Sequence, residues 1–177
     1  MPIYTKTGDN GDTGLYENEK RFRKSNLIFD VLGTIDELNA TLGFLHTSRI
    51  KEVTVIIYEV QRDLFFMGAA IAGKDFDEKD WNEKIEVLEK HIDFSDSKIE
   101  PLKKFILPGG SLASSQLHVA RAVCRRLERL LVTYIEENSK KDLEIFQKYI
   151  NRLSDLLFVL SRFANKTLGV KDLVWEE

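Results

Sequence analysis

Apolar residues recur at helical spacing through most of the chain. Ile28, Val31, Ile35, Leu38, Leu42 and Leu45 form one stripe and predict a first helix from Leu27. Val53, Ile56, Ile57, Val60 and Leu64 predict a second that reaches Ala72. A weaker stripe predicts a third helix from about Trp81 to Ile92, preceded by an acidic run, GKDFDEKD at 73–80, that reads as a solvated loop. A fourth helix should run over 111–137 after the PGGS turn, with Ser111 as its N-cap. A fifth covers 142–168 and stops at Gly169. Residues 1–26 lack this periodicity and read as an extended, glycine-rich arm with turns. The expected architecture is all-α: a single-domain, ferritin-like five-helix bundle over 27–177, four helices long and one short, carrying the arm at 1–26.

Three of these helices have a second stripe. At about 100° per residue, His118, Arg125 and Glu128 lie within roughly 60° of Arg121, while Val123, Leu127, Leu130 and Tyr134 lie opposite. Arg126 and Arg129 flank the charged stripe. On the fifth helix Asn151, Ser154, Asp155, Phe158 and Arg162 share a side, opposed by Leu153, Leu157, Leu160 and Ala164. On the first, Phe29, Leu32, Asn39, Ala40 and Gly43 surround Asp36. Water-facing helix surfaces favour Lys and Glu, whereas Arg recognises phosphate and carboxylate in a forked geometry. Arg, Asn, Ser, Asp and Phe together therefore suggest a polar interface or cleft.

Composition narrows the chemistry. The chain has 177 residues and a net charge of −3, which argues against a general nucleic-acid binder and leaves phosphate recognition to local clusters. One cysteine, Cys124, excludes a disulfide framework and fits a reducing, cytoplasmic setting; its helical angle makes it a small filler. No run of about 18 apolar residues predicts a membrane span, and no secretory signal is visible at the start. A di-iron bundle would need Glu-x-x-His, and none of the three histidines lies three residues after a glutamate.

Two glycine-rich segments interrupt the helical pattern. YTKTGDNGDTGLY, residues 4–16, can place backbone N–H groups around an anion. Lys6 adds a cation, Thr5, Thr7 and Thr13 add hydroxyls, and Asp9 or Asp12 could hold magnesium through water. It can equally be a turn with flexible glycines, and it lacks the ending of a Walker loop. KKFILPGGS, residues 103–111, is a strand-like run broken by Pro-Gly-Gly, with Phe105 expected to pack against apolar surface.

TGDNGDT at Thr7–Thr13, GTIDELN at Gly33–Asn39, FILPGGS at Phe105–Ser111, HVARAVCRRLER at His118–Arg129 and NRLSDLLFVLSR at Asn151–Arg162 occur in one order and spacing. Together they resemble the trimeric class of ATP:cob(I)alamin adenosyltransferases across nearly the whole chain. The resemblance implies a homotrimer with sites between subunits. It implies transfer of the 5′-deoxyadenosyl group of ATP to the cobalt of reduced cobalamin, with release of triphosphate and a flavin-type reductase as electron donor. By the same resemblance, Thr7, Gly8, Asp9, Gly11 and Thr13 wrap the triphosphate, with Thr5, Lys6 and Lys24 assisting. Arg125, Glu128 and Asn151 bind ATP and its Mg²⁺, with Arg126 close by and Glu128 nearest the metal. Asp36 and Arg121 form an ion pair across the subunit boundary, and Phe105 faces the corrin.

The segment KSNLIFD departs from the family pattern: it keeps Lys24 but has Ser25, Asn26 and Leu27 where an acidic pair and a proline are usual. Two other readings fit a bundle with a polar cleft. One is a non-catalytic trimeric ATP-binding protein. The other is a nucleotide hydrolase, which would need a water-activating carboxylate beside the terminal phosphate.

Overall fold

The computed structural model describes residues 3, 4, 6–15 and 20–176. Five helices carry the fold: α1 (Leu27–Gly43), α2 (Lys51–Ile71), α3 (Glu78–Asp96), α4 (Leu112–Asn138) and α5 (Glu144–Thr167). Two small antiparallel pairs join them, β1 (Asp12–Gly14) with β2 (Arg21–Arg23) and β3 (Ile106–Leu107) with β4 (Leu173–Val174). In packing order the helices run α2, α1, α4, α5, α3, so α4 and α5 have helical neighbours on both sides.

Local chemistry explains the helix boundaries. Asn26 accepts from the N–H of Ile28 and starts α1, so the residue that departs from the family pattern serves as a cap. Ser111 accepts from the N–H of Ser114 and starts α4, as expected. Gly169, at φ +69°, follows α5 in the left-handed conformation that a glycine adopts freely.

The third helix differs from expectation. It spans 19 residues against 17 for α1, so it is not a short element. Asp77 caps it by accepting from the N–H of Lys79, which brings 78–80 of the supposed loop into its first turn. Its inner face is narrow, with Trp81, Leu88 and Ser95 buried and Ile85 and Ile92 partly so. A one-residue-wide stripe ending on serine leaves little periodic signal. Phe76 also belongs to the core, its ring centroid 4.7 Å from that of Phe146.

The core is continuous through all five helices and contains the predicted first stripes of α1, α2, α4 and α5. A polar link runs through it. Tyr149 is fully buried and donates its hydroxyl to Asp63 at 3.0 Å, and Asp63 also pairs with Lys84. This links α5, α2 and α3 in one hydrogen-bonded chain. Burial and the nearby Asp63 push the Tyr149 hydroxyl well above its ordinary pKa, so it remains a donor. Tyr149→Phe should lower unfolding stability by about 1.5–3 kcal/mol in urea titration, the scale of one hydrogen bond to a carboxylate, without changing helical content.

Candidate active site

The second stripes of α4 and α5 meet. Asn151 Nδ2 donates to Glu128 Oε1 at 2.8 Å. Glu128 is half-buried, and Arg125, one turn earlier, is exposed with its carbonyl accepting from Arg129 Nη1 at 2.9 Å. Arg126 turns towards α1 and pairs with Glu37. Asp36, beside Glu37, is exposed, and no ion pair joins it to Arg121 among the described residues of this single chain. Thus Glu128 and Asn151 are brought into contact, whereas Asp36 and Arg121 are not.

The deeper end of the stripe is buried and incompletely paired among the described residues. His118 is buried, its ring edge-on to Phe158 with centroids 6.2 Å apart. His118 Nδ1 and Arg121 Nε are both buried without a hydrogen-bond partner among the described residues. Such groups are uncommon in folded proteins because each forfeits its hydration. Burial first, then the Arg121 charge, lower the His118 pKa, with Asp172 opposing them, so the ring is held neutral.

The glycine-rich loop is held by cations from β2 and the segment after it. Arg21 Nη2 donates to the carbonyls of Thr7 at 2.7 Å and Asp12 at 2.8 Å. Lys24 Nζ donates to the carbonyl of Gly8 at 2.9 Å. Arg23 Nη1 donates to the carbonyl of Asn10 and to Asp12 Oδ1, both at 3.2 Å. Reading the sequence for ligand contacts singled out Lys24 and passed over Arg21 and Arg23. Their alternation along β2, opposite Asp12 and Gly14, was the available signal.

Within the loop, the Gly11 N–H closes a turn onto the Gly8 carbonyl at 3.2 Å, which removes one donor from the expected anion nest. Gly11 has φ +82°, and a Cβ at Gly8 would sit 3.2 Å from Lys24 Nζ. Lys6 adopts φ +59° and is exposed, with Nζ 5.9 Å from the Tyr4 ring centroid. Thr7 and Asp9 are exposed, and Gly8, Gly11 and Thr13 are half-buried. Thr5 lies outside the described residues.

Phe105 corrects an expectation. Instead of packing on apolar surface, it is 79% exposed, at the head of β3. The strand register explains this, because its neighbour Ile106 takes the sheltered position. A clasp that the sequence did not reveal holds this segment. Asn165 accepts from the Ser111 N–H at 2.8 Å and donates from Nδ2 to Asp172 Oδ1 at 3.0 Å. Arg162 Nε donates to Asp172 Oδ2 at 3.0 Å, and its Nη2 to the Glu100 carbonyl at 2.7 Å. The Trp175 N–H then donates to the Phe105 carbonyl at 2.9 Å. Gly110 fits against Asn165, which lies 2.4 Å from where a Cβ would stand.

Comparison with known proteins gives this geometry its context. A family model described as cobalamin adenosyltransferase matches residues 3–164. The chain belongs to the cobalamin adenosyltransferase family. Members similar to it include a corrinoid adenosyltransferase of Citrobacter freundii, 39% identical over 95% of this chain and 97% of that protein. Another, from Bacillus subtilis (strain 168), is 38% identical over 99% of this chain and 93% of that protein. A phenylalanine-to-alanine variant of the PduO-type ATP:corrinoid adenosyltransferase from Lactobacillus reuteri, solved in complex with cobalamin and ATP, matches with a TM-score of 0.89. That structure is 30% identical, covering 99% of this chain and 100% of that chain.

Among the described residues no three His, Cys, Asp or Glu side chains cluster to hold a metal. Cys124 is fully buried, donates to the Ile150 carbonyl at 3.3 Å, and has its pKa pushed up by burial, which suits a filler and not a nucleophile.

Two measurements follow from this geometry. Unfolded histidine takes up a proton below about pH 6.5, whereas folded His118 resists it, so its contribution to stability is full above that pH and declines as pH falls. Urea midpoints of His118→Gln should accordingly lose less on acidification than those of the parent. Asn165→Ala should release the C-terminal segment, seen as faster amide exchange at Leu173–Trp175 with helix α5 still protected.

Proposed function

We propose that this chain transfers the 5′-deoxyadenosyl group of ATP to the cobalt of reduced cobalamin, forming adenosylcobalamin and triphosphate. The observation that carries the reading is the half-buried polar stripe of α4, with Glu128 tied to Asn151 beside the exposed Arg125. Family membership and relatives named for this activity support it.

In this reading, Arg125, Glu128 and Asn151 hold the nucleotide, with Arg126 at the edge and Glu128 reaching Mg²⁺ on the triphosphate. The loop residues Thr7, Gly8, Asp9, Gly11 and Thr13 close over the phosphates, flanked by Thr5 and Lys6 and braced by Lys24. The active unit is a homotrimer, in which Asp36 of one copy meets Arg121 of the next. Exposed Phe44, Val55, Tyr58, Phe65 and Val119 supply apolar surface for such assembly. Phe105 covers the lower face of the corrin. There its apolar ring excludes water and an axial ligand, which favours four-coordinate cobalt that a flavin-type reductase can reduce. The single, inert cysteine supports a cytoplasmic setting.

Cobalt(I) then attacks the ribose C5′, a cobalt–carbon bond forms as the carbon–oxygen bond to triphosphate breaks, and the electron pair leaves on oxygen. No proton is removed from the nucleophile, so no general base is required. The protein positions the reactants, neutralises the departing charge and keeps the site dry. A helix stripe rich in arginine and free of catalytic cysteine suits those tasks.

Pre-reduced cobalamin with MgATP should give the light-sensitive alkylcobalt spectrum and an equal amount of triphosphate. Phosphate or ADP without a corrinoid change would instead indicate a hydrolase, and tight ATP binding without turnover a non-catalytic binder. Phe105→Ala should reduce turnover from cobalt(II) with a weak reductant by about 10²-fold or more, the scale set by misplacing a reacting group. Turnover from cobalt(I) should fall much less. Equal losses in the two assays would remove the ligand-excluding role.

A further inference from the structure

The segment before β3 and the segment after α5 face each other across a groove of about 800 Å³. Its lining contains five basic residues, Lys103, Lys104, Lys166, Lys171 and Arg162, against Glu100 and Asp172. That is a local positive excess in a chain of net charge −3. The basic residues are not equivalent. Arg162 is 8% exposed and is committed to the Asp172 carboxylate and the Glu100 carbonyl, so it fastens the two walls together. Lys166 donates to the carbonyl of Lys98. Lys103, Lys104 and Lys171 are exposed, and none has a carboxylate partner among the described residues. Between these cations the groove presents apolar surface from Leu102, Ile106, Val170 and Val174.

Free cations around an apolar floor match a ligand that joins one anionic group to a flat apolar one. The position of the groove narrows the choice. Lys104 and Ile106 line it, while Phe105 between them stands outside the lining with its ring exposed. A single strand therefore separates the groove from the proposed corrin-facing ring. Cobalamin carries, below its ring, a benzimidazole nucleotide attached through a phosphodiester. If Phe105 occupies the lower face, that base must leave the cobalt and lie elsewhere.

We propose that the groove between residues 99–106 and the C-terminal segment is the subsite for this displaced nucleotide tail. Lys103, Lys104 and Lys171 attract the phosphodiester, and the apolar floor receives the benzimidazole. This deepens the corrinoid reading above and rests on it. The subsite would distinguish complete corrinoids from precursors that have the same ring and no tail, and it would help hold the base away from cobalt.

The test compares cobalamin with cobinamide, which lacks the nucleotide, using the full chain and the combined Lys103→Gln, Lys104→Gln and Lys171→Gln variant. The KM for cobalamin should rise about fivefold to tenfold, the scale of one or two screened charge pairs. The KM for cobinamide and kcat for both should remain within about twofold, since these exposed lysines touch no reacting atom. An equal rise for both corrinoids, or none for either, would overturn the subsite. Inorganic phosphate competing equally against both would identify a free-anion site instead, and would also overturn it. Binding of the two corrinoids in the cobalt(II) state, followed through tryptophan fluorescence, supplies a readout independent of turnover. A cobalamin-selective loss there sustains the subsite even if turnover fails, whereas a parent protein that binds both and adenosylates neither refutes the proposed reaction alone.

Discussion

The structure depends on one constraint: α4 and α5 must satisfy packing on two sides at once. Each has an apolar stripe that buries against the bundle and a second stripe that cannot be given wholly to water. The first stripe supplies the hydrophobic driving force, with Leu117, Leu127, Leu153 and Leu157 fully buried. Because that packing fixes the rotation of both helices, the second stripe is fixed as well. Glu128 and Asn151 meet because the leucines opposite them are locked in place. The site is thus a by-product of core packing, and a rotation of either helix would break both.

Charge is distributed accordingly. Guanidinium groups lie where they can be shared: Arg126 with Glu37, Arg152 with Glu89 and Asp155, Arg162 with Asp172. The glycine-rich loop repeats this logic with Arg21, Arg23 and Lys24 holding its carbonyls. Cations that fold the loop also keep positive potential beside it, so one set of side chains both shapes the backbone and favours an anion. Arg121 differs, since its Nε is buried with no acceptor among the described residues.

The C-terminal clasp shows how far local signals reach. Asp172 receives Arg162 and Asn165 together, and through the short β3–β4 pair it sets the position of Phe105. By helical angle Arg162 belongs to the polar stripe of α5. Its burial and its role in fastening the segment 99–106 depend on contacts 62 residues apart in the chain. Two-residue strands have too little alternation to register as a pattern. The exposure of Phe105 was not legible in the sequence, because apolar composition alone argues for burial.

What the sequence determined by itself was whatever repeats along one helix. The core stripes of α1, α2, α4 and α5 and the grouping of His118, Arg121, Arg125 and Glu128 follow from a period of 3.6, and the Ser111 cap and the stop at Gly169 from local capping chemistry. Even α3 was visible, although a narrow stripe ending in Ser95 concealed its length. Tertiary structure decided which stripes face each other, which cations are consumed by carbonyls, and which buried nitrogens are left unpaired. Those outcomes arise from contacts between distant segments, and helical periodicity carries no information about distance across the fold.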